Sequence, residues 1–350
     1  MRAMVTGGAG FIGSTLVEAL VADGTPTATV DVLTYAGSLS NLAAVADAEN
    51  HMFVEADVRD QQAVEALLEA HRPSVIFHLA AETHVDRSID TPLRAFETNI
   101  EGTYEMLAAA TAYWSRLDEP ERTAFRFVQV SSDEVFGSAT EGSYFRETSR
   151  YNPNSPYAAS KASADYLVRT WSMTFGLPVL VAHGCNTYGP RQFPEKLIPL
   201  MVLNGSEGLD LPIYGTGAQV RDWMHVDDHV RGLRALAARG TPGESYLLGA
   251  RNPLTNMELV TRLCAALDRV RPDASPHAQL ISHVDDRPGH DHRYASDPSR
   301  AENELGWRAD TDFEAGLADT LNWYLTNGDW CAQTRERYQR ERLGLARAAQ

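Results

Sequence analysis

The sequence predicts an α/β fold: a doubly wound parallel sheet with a smaller, interleaved C-terminal lobe. Three observations carry this expectation. Short apolar runs alternate with helical patterns through the first half of the chain. A glycine-rich turn separates the first run from the first helix. After residue 184 the alternation gives way to Pro, Gly and short elements. Strands alternating with helices are the mark of βαβ units around a sheet buried on both faces.

Taken in order, Ala3–Thr6 reads as a strand, Phe11–Ala22 as a helix and Thr27–Asp31 as a second strand. Met52–Glu55 is a third strand, Gln61–Glu69 a helix and Ser74–Leu79 a largely apolar strand. Leu93–Tyr113 reads as one long helix, Phe125–Val130 as a strand, Ala158–Phe175 as a helix and Val179–Ala182 as a strand. Later helices are expected at Leu197–Leu203, Asp228–Ala238, Met257–Leu267 and Phe313–Tyr324. The division is therefore a first domain over 1–184, to which some later segments return, a lobe over 185–330 and a tail over 331–350. From Gln333 the tail is rich in Arg and Gln, has few core residues and is expected to fray.

Composition excludes several classes. The 350 residues carry 31 Lys+Arg against 47 Asp+Glu, a net charge of −16, which repels nucleic acid and anionic membranes. A small anionic ligand is still possible where cations cluster. Cys185, Cys264 and Cys331 are far apart, so neither a disulfide framework nor a zinc site is expected, in keeping with a cytoplasmic protein. No apolar run is long enough to span a membrane, and a strand starting at Ala3 leaves no room for a secretory leader. Only Lys161 and Lys196 are lysine; the other 29 basic residues are arginine. Either codon bias explains this, or these two positions do not accept arginine.

Gly7-Gly8-Ala9-Gly10-Phe11-Ile12-Gly13 follows the first strand and opens a helix. Glycines let a backbone approach a pyrophosphate, and a helix N-terminus offers N–H groups and a positive dipole end. Asp31 closes the second strand, where a carboxylate accepts hydrogen bonds from the adenosine ribose. Val32-Leu33-Thr34 supplies no arginine for a 2′-phosphate, so NAD is expected rather than NADP. Asp57-Val58 lies at the adenine edge or caps the helix that follows.

Tyr157 and Lys161 stand at i, i+4 on one helix face. An ammonium beside a phenol lowers its pKa, and such a tyrosine removes a proton from an alcohol as hydride leaves. Ser131-Ser132-Asp133-Glu134 ends the strand that begins at Phe125, at the crevice side of a parallel sheet. Two adjacent carboxylates serve as acid and base when their environments separate their pKa values; otherwise they form a solvated acidic turn.

With these motifs stated, the chain resembles the extended short-chain dehydrogenase/reductases, a Rossmann-type family, and within them the dTDP-glucose 4,6-dehydratases. The resemblance runs through Thr6–Gly13, Asp31–Gly37, His78–Ser88, Ser132–Val135, Ser155–Lys161, Asn186–Pro190, Phe193–Pro199, Pro212–Gly215, Arg221–Trp223 and Asp286–Asp291. Asp133-Glu134, Phe193-Pro-Glu-Lys196 and Arg287-Pro-Gly-His-Asp291 are its most specific parts. It implies a redox-neutral dehydration. Tyr157 deprotonates the C4 hydroxyl as hydride passes to NAD. Glu134 removes the C5 proton, Asp133 protonates the departing C6 hydroxyl, and hydride returns to C6. Ser132, where the family has threonine, keeps the hydroxyl that binds the C4 oxygen.

The implied cofactor set is Gly7, Gly10, Phe11, Ile12, Gly13, Asp31, Leu33, Thr34, Gly37, Asp57, Val58, Leu79, Ala80, Ala81, Thr98, Tyr157, Lys161 and Cys185. The nucleotide-sugar set is Thr83, Asn186, Glu195, Lys196, Leu197, Pro212, Tyr214, Arg221, Asn256, Arg287 and His290. Lys196, Arg221 and Arg287 would meet the diphosphate, and Tyr214 with Pro212 the base. Tyr214 is otherwise a core aromatic and Arg287 a surface charge. Asn99 lies near sugar and cofactor or simply bonds backbone. No metal is expected.

The chain departs from the family in two places. His183-Gly184-Cys185-Asn186-Thr187 stands for Asn-Cys-Ser-Asn-Asn, and Phe136 stands for tyrosine. His183 is expected to be a packed strand residue rather than a catalyst. A 4-epimerase or decarboxylase would need Tyr157 and Lys161 but has no use for Asp133 and Glu134. A non-catalytic NAD-binding protein would need none of the four. Homodimerisation through the Leu93–Tyr113 and Ala158–Phe175 helices is the family's expectation.

Overall fold

The computed structural model describes residues 1–273, 275–338 and 343–344. Its strands are β1 (Ala3–Thr6), β2 (Thr27–Asp31), β3 (His51–Glu55), β4 (Val75–His78), β5 (Arg126–Ser132), β6 (Val179–Gly184), β7 (Asn186–Tyr188), β8 (Leu211–Tyr214), β9 (Val220–His225), β10 (Ser245–Leu248), β11 (Pro253–Thr255) and β12 (Ile281–Val284). The α-helices are α1 (Phe11–Ala22), α2 (Gln61–His71), α3 (Val85–Asp90), α4 (Pro92–Phe96), α5 (Gly102–Trp114), α6 (Glu119–Ala124) and α7 (Pro156–Phe175), followed by α8 (Leu197–Ser206), α9 (Val226–Arg239), α10 (Asn256–Val270), α11 (Ser299–Leu305), α12 (Phe313–Thr326) and α13 (Gly328–Arg337).

Seven parallel strands form one sheet in the order β10-β6-β5-β4-β1-β2-β3. The order reverses between β1 and β4, and a crevice opens there beyond the carboxyl ends of the strands. Leu16, Val17 and Leu20 of α1 pack with Val230, Leu233 and Leu236 of α9 on one face of the sheet. Val64, Leu67 and Leu68 of α2, Met106 and Leu107 of α5 and Val168 of α7 cover the other. A second core joins α8, α10, α12 and α13 under the smaller sheets β11-β9-β7 and β12-β8.

The expected alternation is present with three differences. The region expected as one helix over Leu93–Tyr113 is α4 and α5 joined by a π-helical turn, Glu97–Glu101. The wider turn swings Asn99 inward, where its amide bonds both backbone groups of Glu82 and the Ser160 hydroxyl. Such insertions often mark functional sites. The second difference is β10 itself, a strand the sequence reading did not include, which pairs with β6. The third is the tail: instead of fraying from Gln333, the chain continues α13 to Arg337, with Trp330, Cys331 and Thr334 buried. Its residues 339–342 and 345–350 lie outside those described.

Candidate active site

The crevice is a cavity of about 560 Å³ above the strand ends. At one end lies the glycine turn. Gly7 has φ +67, and a Cβ there would come within 2.7 Å of the Ala80 nitrogen. A Cβ on Gly13 would stand 2.2 Å from the Gly7 carbonyl, so helix and strand approach at a distance only glycine allows. No side chain caps α1, and its first-turn amides remain to meet an anion. Asp31 accepts from Ala9 N at 3.0 Å and Leu33 N at 2.9 Å. Burial raises its pKa, partly offset by these bonds. Glycines without room for side chains, uncapped amides and a carboxylate at the second strand end fit a dinucleotide.

At the other end β5 delivers Ser132, and a 3₁₀ turn, Asp133–Phe136, follows. The Ser132 hydroxyl accepts from Glu134 N at 3.2 Å and also bonds the Tyr157 phenol. Asp133 is 1% exposed, and its Oδ2 has no partner. Burial, then the neighbouring Glu134, pushes its pKa well above the ordinary carboxylate value, which favours the protonated form. Ser155 caps α7 through Ala158 N, worth about 1 kcal/mol, and Tyr157 and Lys161 face inward from its first turns.

Tyr157 differs from the expectation of a lowered pKa. Burial and the charges of Glu134 and Asp133 hold its phenol above the ordinary value, against the Ser132 bond. The Lys161 ammonium lies 2.7 Å from the Val130 carbonyl, to which it donates. Burial lowers Lys161 to about 8, with Asp165 opposing.

A model of the GDP-mannose 4,6 dehydratase family matches residues 4–320. The chain belongs to that family. It is 48% identical over 350 residues to a probable dTDP-glucose 4,6-dehydratase of Sinorhizobium fredii, covering all of both chains. It is 46% identical over 340 residues to dTDP-glucose 4,6-dehydratase 1 of Escherichia coli, covering 94% of each. Among solved structures it resembles the DesIV dTDP-glucose 4,6-dehydratase of Streptomyces venezuelae, solved with NAD bound. The TM-score is 0.86 at 43% identity, over 94% of this chain and 98% of that one. A UDP-glucose 4-epimerase of Thermotoga maritima has a TM-score of 0.82 at 29% identity, over 93% and 99%. The dehydratase family thus shares its frame with epimerases, and side chains must separate the two chemistries.

Within this family member, every residue of the expected cofactor set lines the cavity except Leu33. Its backbone adopts φ +53, and its side chain packs into the core beneath. Asp57 lines the cavity but caps nothing: it pairs with Arg59, and Asp60 caps α2. Ser132, Asp133, Glu134, Tyr157 and Lys161 share the cavity wall. Thr83, Asn186, Glu195 and Lys196 also line it.

The remaining nucleotide-sugar residues do not reach that wall. Leu197 packs against the second core, and Pro212 lies in β8 opposite Ser282. Asn256 begins α10 and donates its backbone N–H to Gln219 O. Tyr214 donates its hydroxyl to Asp86 at 2.7 Å, and Arg287 pairs with the same carboxylate at 2.7 Å. Arg221 is buried over the Tyr294 ring and donates to the Asp291 carbonyl. His290 bonds Asp286 at 2.6 Å, while burial lowers its pKa to about 4.

His183 is 1% exposed, bonded to Tyr151 at 2.8 Å and near Asp165, as a packed strand residue should be. Phe136 is buried against Phe145 and His183. Sequence reasoning missed His229. It lines the cavity, bonds Thr187 Oγ1 at 2.8 Å, and is lowered to about 4 by burial. A Cβ on Gly184 would stand 2.5 Å from its ring, so glycine makes room for the imidazole. That pairing spans 45 positions and leaves no local pattern.

Proposed function

We propose that the protein is an NAD-dependent dehydratase that converts dTDP-glucose to the 4-keto-6-deoxy sugar nucleotide. The observation that carries this reading is Asp133, buried and without a hydrogen-bond partner at Oδ2, next to Glu134 on the wall that holds Tyr157. NAD, held by the Gly7–Gly13 turn and Asp31, would supply the acceptor for the C4 hydride and its return to C6. Tyr157, in its ionised fraction, takes the C4 hydroxyl proton. Ser132 holds the C4 oxygen. Lys161 keeps a cation at the base of the phenol against the two carboxylates that disfavour its anion. Once C4 is a ketone, C5–H is acidic. Glu134 accepts that proton and Asp133 gives its own to the C6 hydroxyl, which departs as water; Glu134 then returns a proton to C5 as C6 is reduced.

Lys196, Arg221 and Arg287 are assigned to the diphosphate and Tyr214 to the base. Residues 1–184, with β10 returning, form the NAD half, and 185–330 mainly the nucleotide-sugar lobe. Leu93, Phe96, Tyr104, Tyr166, Met173 and Phe175 are exposed apolar side chains on α4, α5 and α7, which supports a homodimer packed through these helices. Among the described residues no helix is long and apolar enough to cross a membrane, and the three cysteines are free. Both are in keeping with a cytoplasmic enzyme. The test is purified protein with dTDP-glucose and no added cofactor. A 4-keto-6-deoxy product is expected; a C4 epimer would overturn the reading.

A further inference from the structure

The C-terminal helix α13 reaches back across nearly the whole sequence to the loops around Asp31. Trp330 is 8% exposed, and its indole N–H donates to Asn41 Oδ1 at 2.7 Å. Asn41 is 1% exposed, and its Nδ2 donates to the Ala9 carbonyl at 2.8 Å. The backbone N–H of Ser38 donates to that carbonyl at 3.0 Å. Turning the Asn41 amide over would set its NH₂ against the indole N–H and its oxygen against the Ala9 oxygen. Trp330 therefore fixes which face Asn41 offers to the glycine turn.

One helical run later, the Arg337 guanidinium donates to the Gly37 carbonyl at 2.8 Å. Ala9 and Gly37 stand on either side of the Asp31 carboxylate. Ala9 N–H donates to Oδ2, and a Cβ on Gly37 would lie 2.8 Å from Oδ1. Both segments line the cavity where the glycine turn and the ribose carboxylate meet. The helix is itself anchored: Trp330 packs edge-on against Trp323 at 4.9 Å and near Tyr324 at 5.9 Å.

We propose that α13 is a positioning element for the dinucleotide, with Trp330 and Arg337 holding the two loops that flank Asp31 in their binding geometry. The inference rests on the NAD part of the function proposed above. Neither residue touches the reacting atoms. They act through Asn41, Ala9 and Gly37, so their loss should loosen the cofactor without altering the chemical groups.

The test uses purified full-length protein with its bound cofactor, as wild type, Trp330→Phe and Arg337→Gln. NAD content per chain is measured after gel filtration, release is timed into an NAD-consuming trap, and Tm is recorded with and without NAD. Each variant should release NAD about fivefold to tenfold faster, as expected for one lost hydrogen bond to a loop that flanks Asp31. Arg337 is exposed, so the stripped Arg337→Gln chain should melt with wild type while its NAD-induced rise in Tm shrinks. Release at the wild-type rate in both variants would overturn the proposal. So would faster release in Arg337→Gln accompanied by an equal loss of Tm in the stripped chain. These readouts need no sugar substrate, so their failure leaves the dehydration reading standing. Wild-type protein that binds no NAD would instead remove the reading on which the proposal rests.

Discussion

The wall that holds Tyr157 and the proposed nucleotide end are built on opposite principles. At the chemical end the groups have few protein partners. Asp133 Oδ2 has none, Tyr157 meets Ser132, and Lys161 holds one carbonyl. At the proposed nucleotide end the polar groups already have protein partners: Arg287 pairs with Asp86, Tyr214 bonds the same carboxylate, and His290 bonds Asp286. A group that must exchange protons is left with its capacity unspent and its pKa displaced by burial. A group that must only hold a diphosphate can be kept in place by a protein carboxylate. Changes at the first end should therefore fall on kcat, and changes at the second on KM.

The largest effect is expected at Lys161. Its ammonium sits in a site 4% exposed, fitted to a single carbonyl. Lys161→Arg brings a wider planar head and should slow the first-turnover reduction of bound NAD about a thousandfold. In the wild type, the ammonium at about 8 loses its proton as pH rises. Because the Tyr157 phenol is held above its ordinary value, the same first-turnover rate should climb with pH up to about that value and stop climbing as the ammonium is lost.

Glu134→Gln should slow product formation about a hundredfold while leaving sugar oxidation intact, so that reduced-cofactor absorbance accumulates. Normal turnover in that variant would remove the proton assignment. Arg287→Gln sharpens the contrast from the other side. KM for dTDP-glucose should rise about tenfold with little change in the single-turnover rate. A fall in that rate with unchanged KM would erase the distinction between the two ends. Lys196→Arg is the mildest change. Lys196 is half-buried and donates to the Thr83 carbonyl at 2.7 Å. Arginine keeps the charge, so KM should shift about threefold. Wild-type behaviour in both lysine variants would make codon bias the explanation of a chain with two lysines and 29 arginines.

The same contrast explains what was legible in the sequence. The chemical end is local. A strand end, four consecutive residues and an i, i+4 pair place all five side chains, and the structure puts them on one wall. The glycine turn with Asp31 was readable for the same reason. The proposed nucleotide end draws on residues 86, 214, 221, 287 and 290, brought together by tertiary contacts that no spacing announces. Asp86 lay inside a quoted motif, yet nothing local marked it as the partner of Arg287. The Trp330–Asn41 bond, 289 positions apart, and the Gly184–His229 fit were hidden in the same way. The π-helical turn escaped because a one-residue insertion barely changes apolar periodicity, and β10 because four residues carry little pattern. The direction of the Tyr157 shift is not legible because the i, i+4 rule counts the ammonium but neither the burial of the phenol nor the two carboxylates that follow β5.

The central claim is that one tyrosine-bearing wall oxidises C4, eliminates water and returns the same hydride to C6. The most direct measurement follows dTDP-glucose deuterated at C4 through purified protein with no added cofactor. The deuterium is expected at C6 of a 4-keto-6-deoxy product. Deuterium back at C4 of an epimer, or released to solvent, would contradict it.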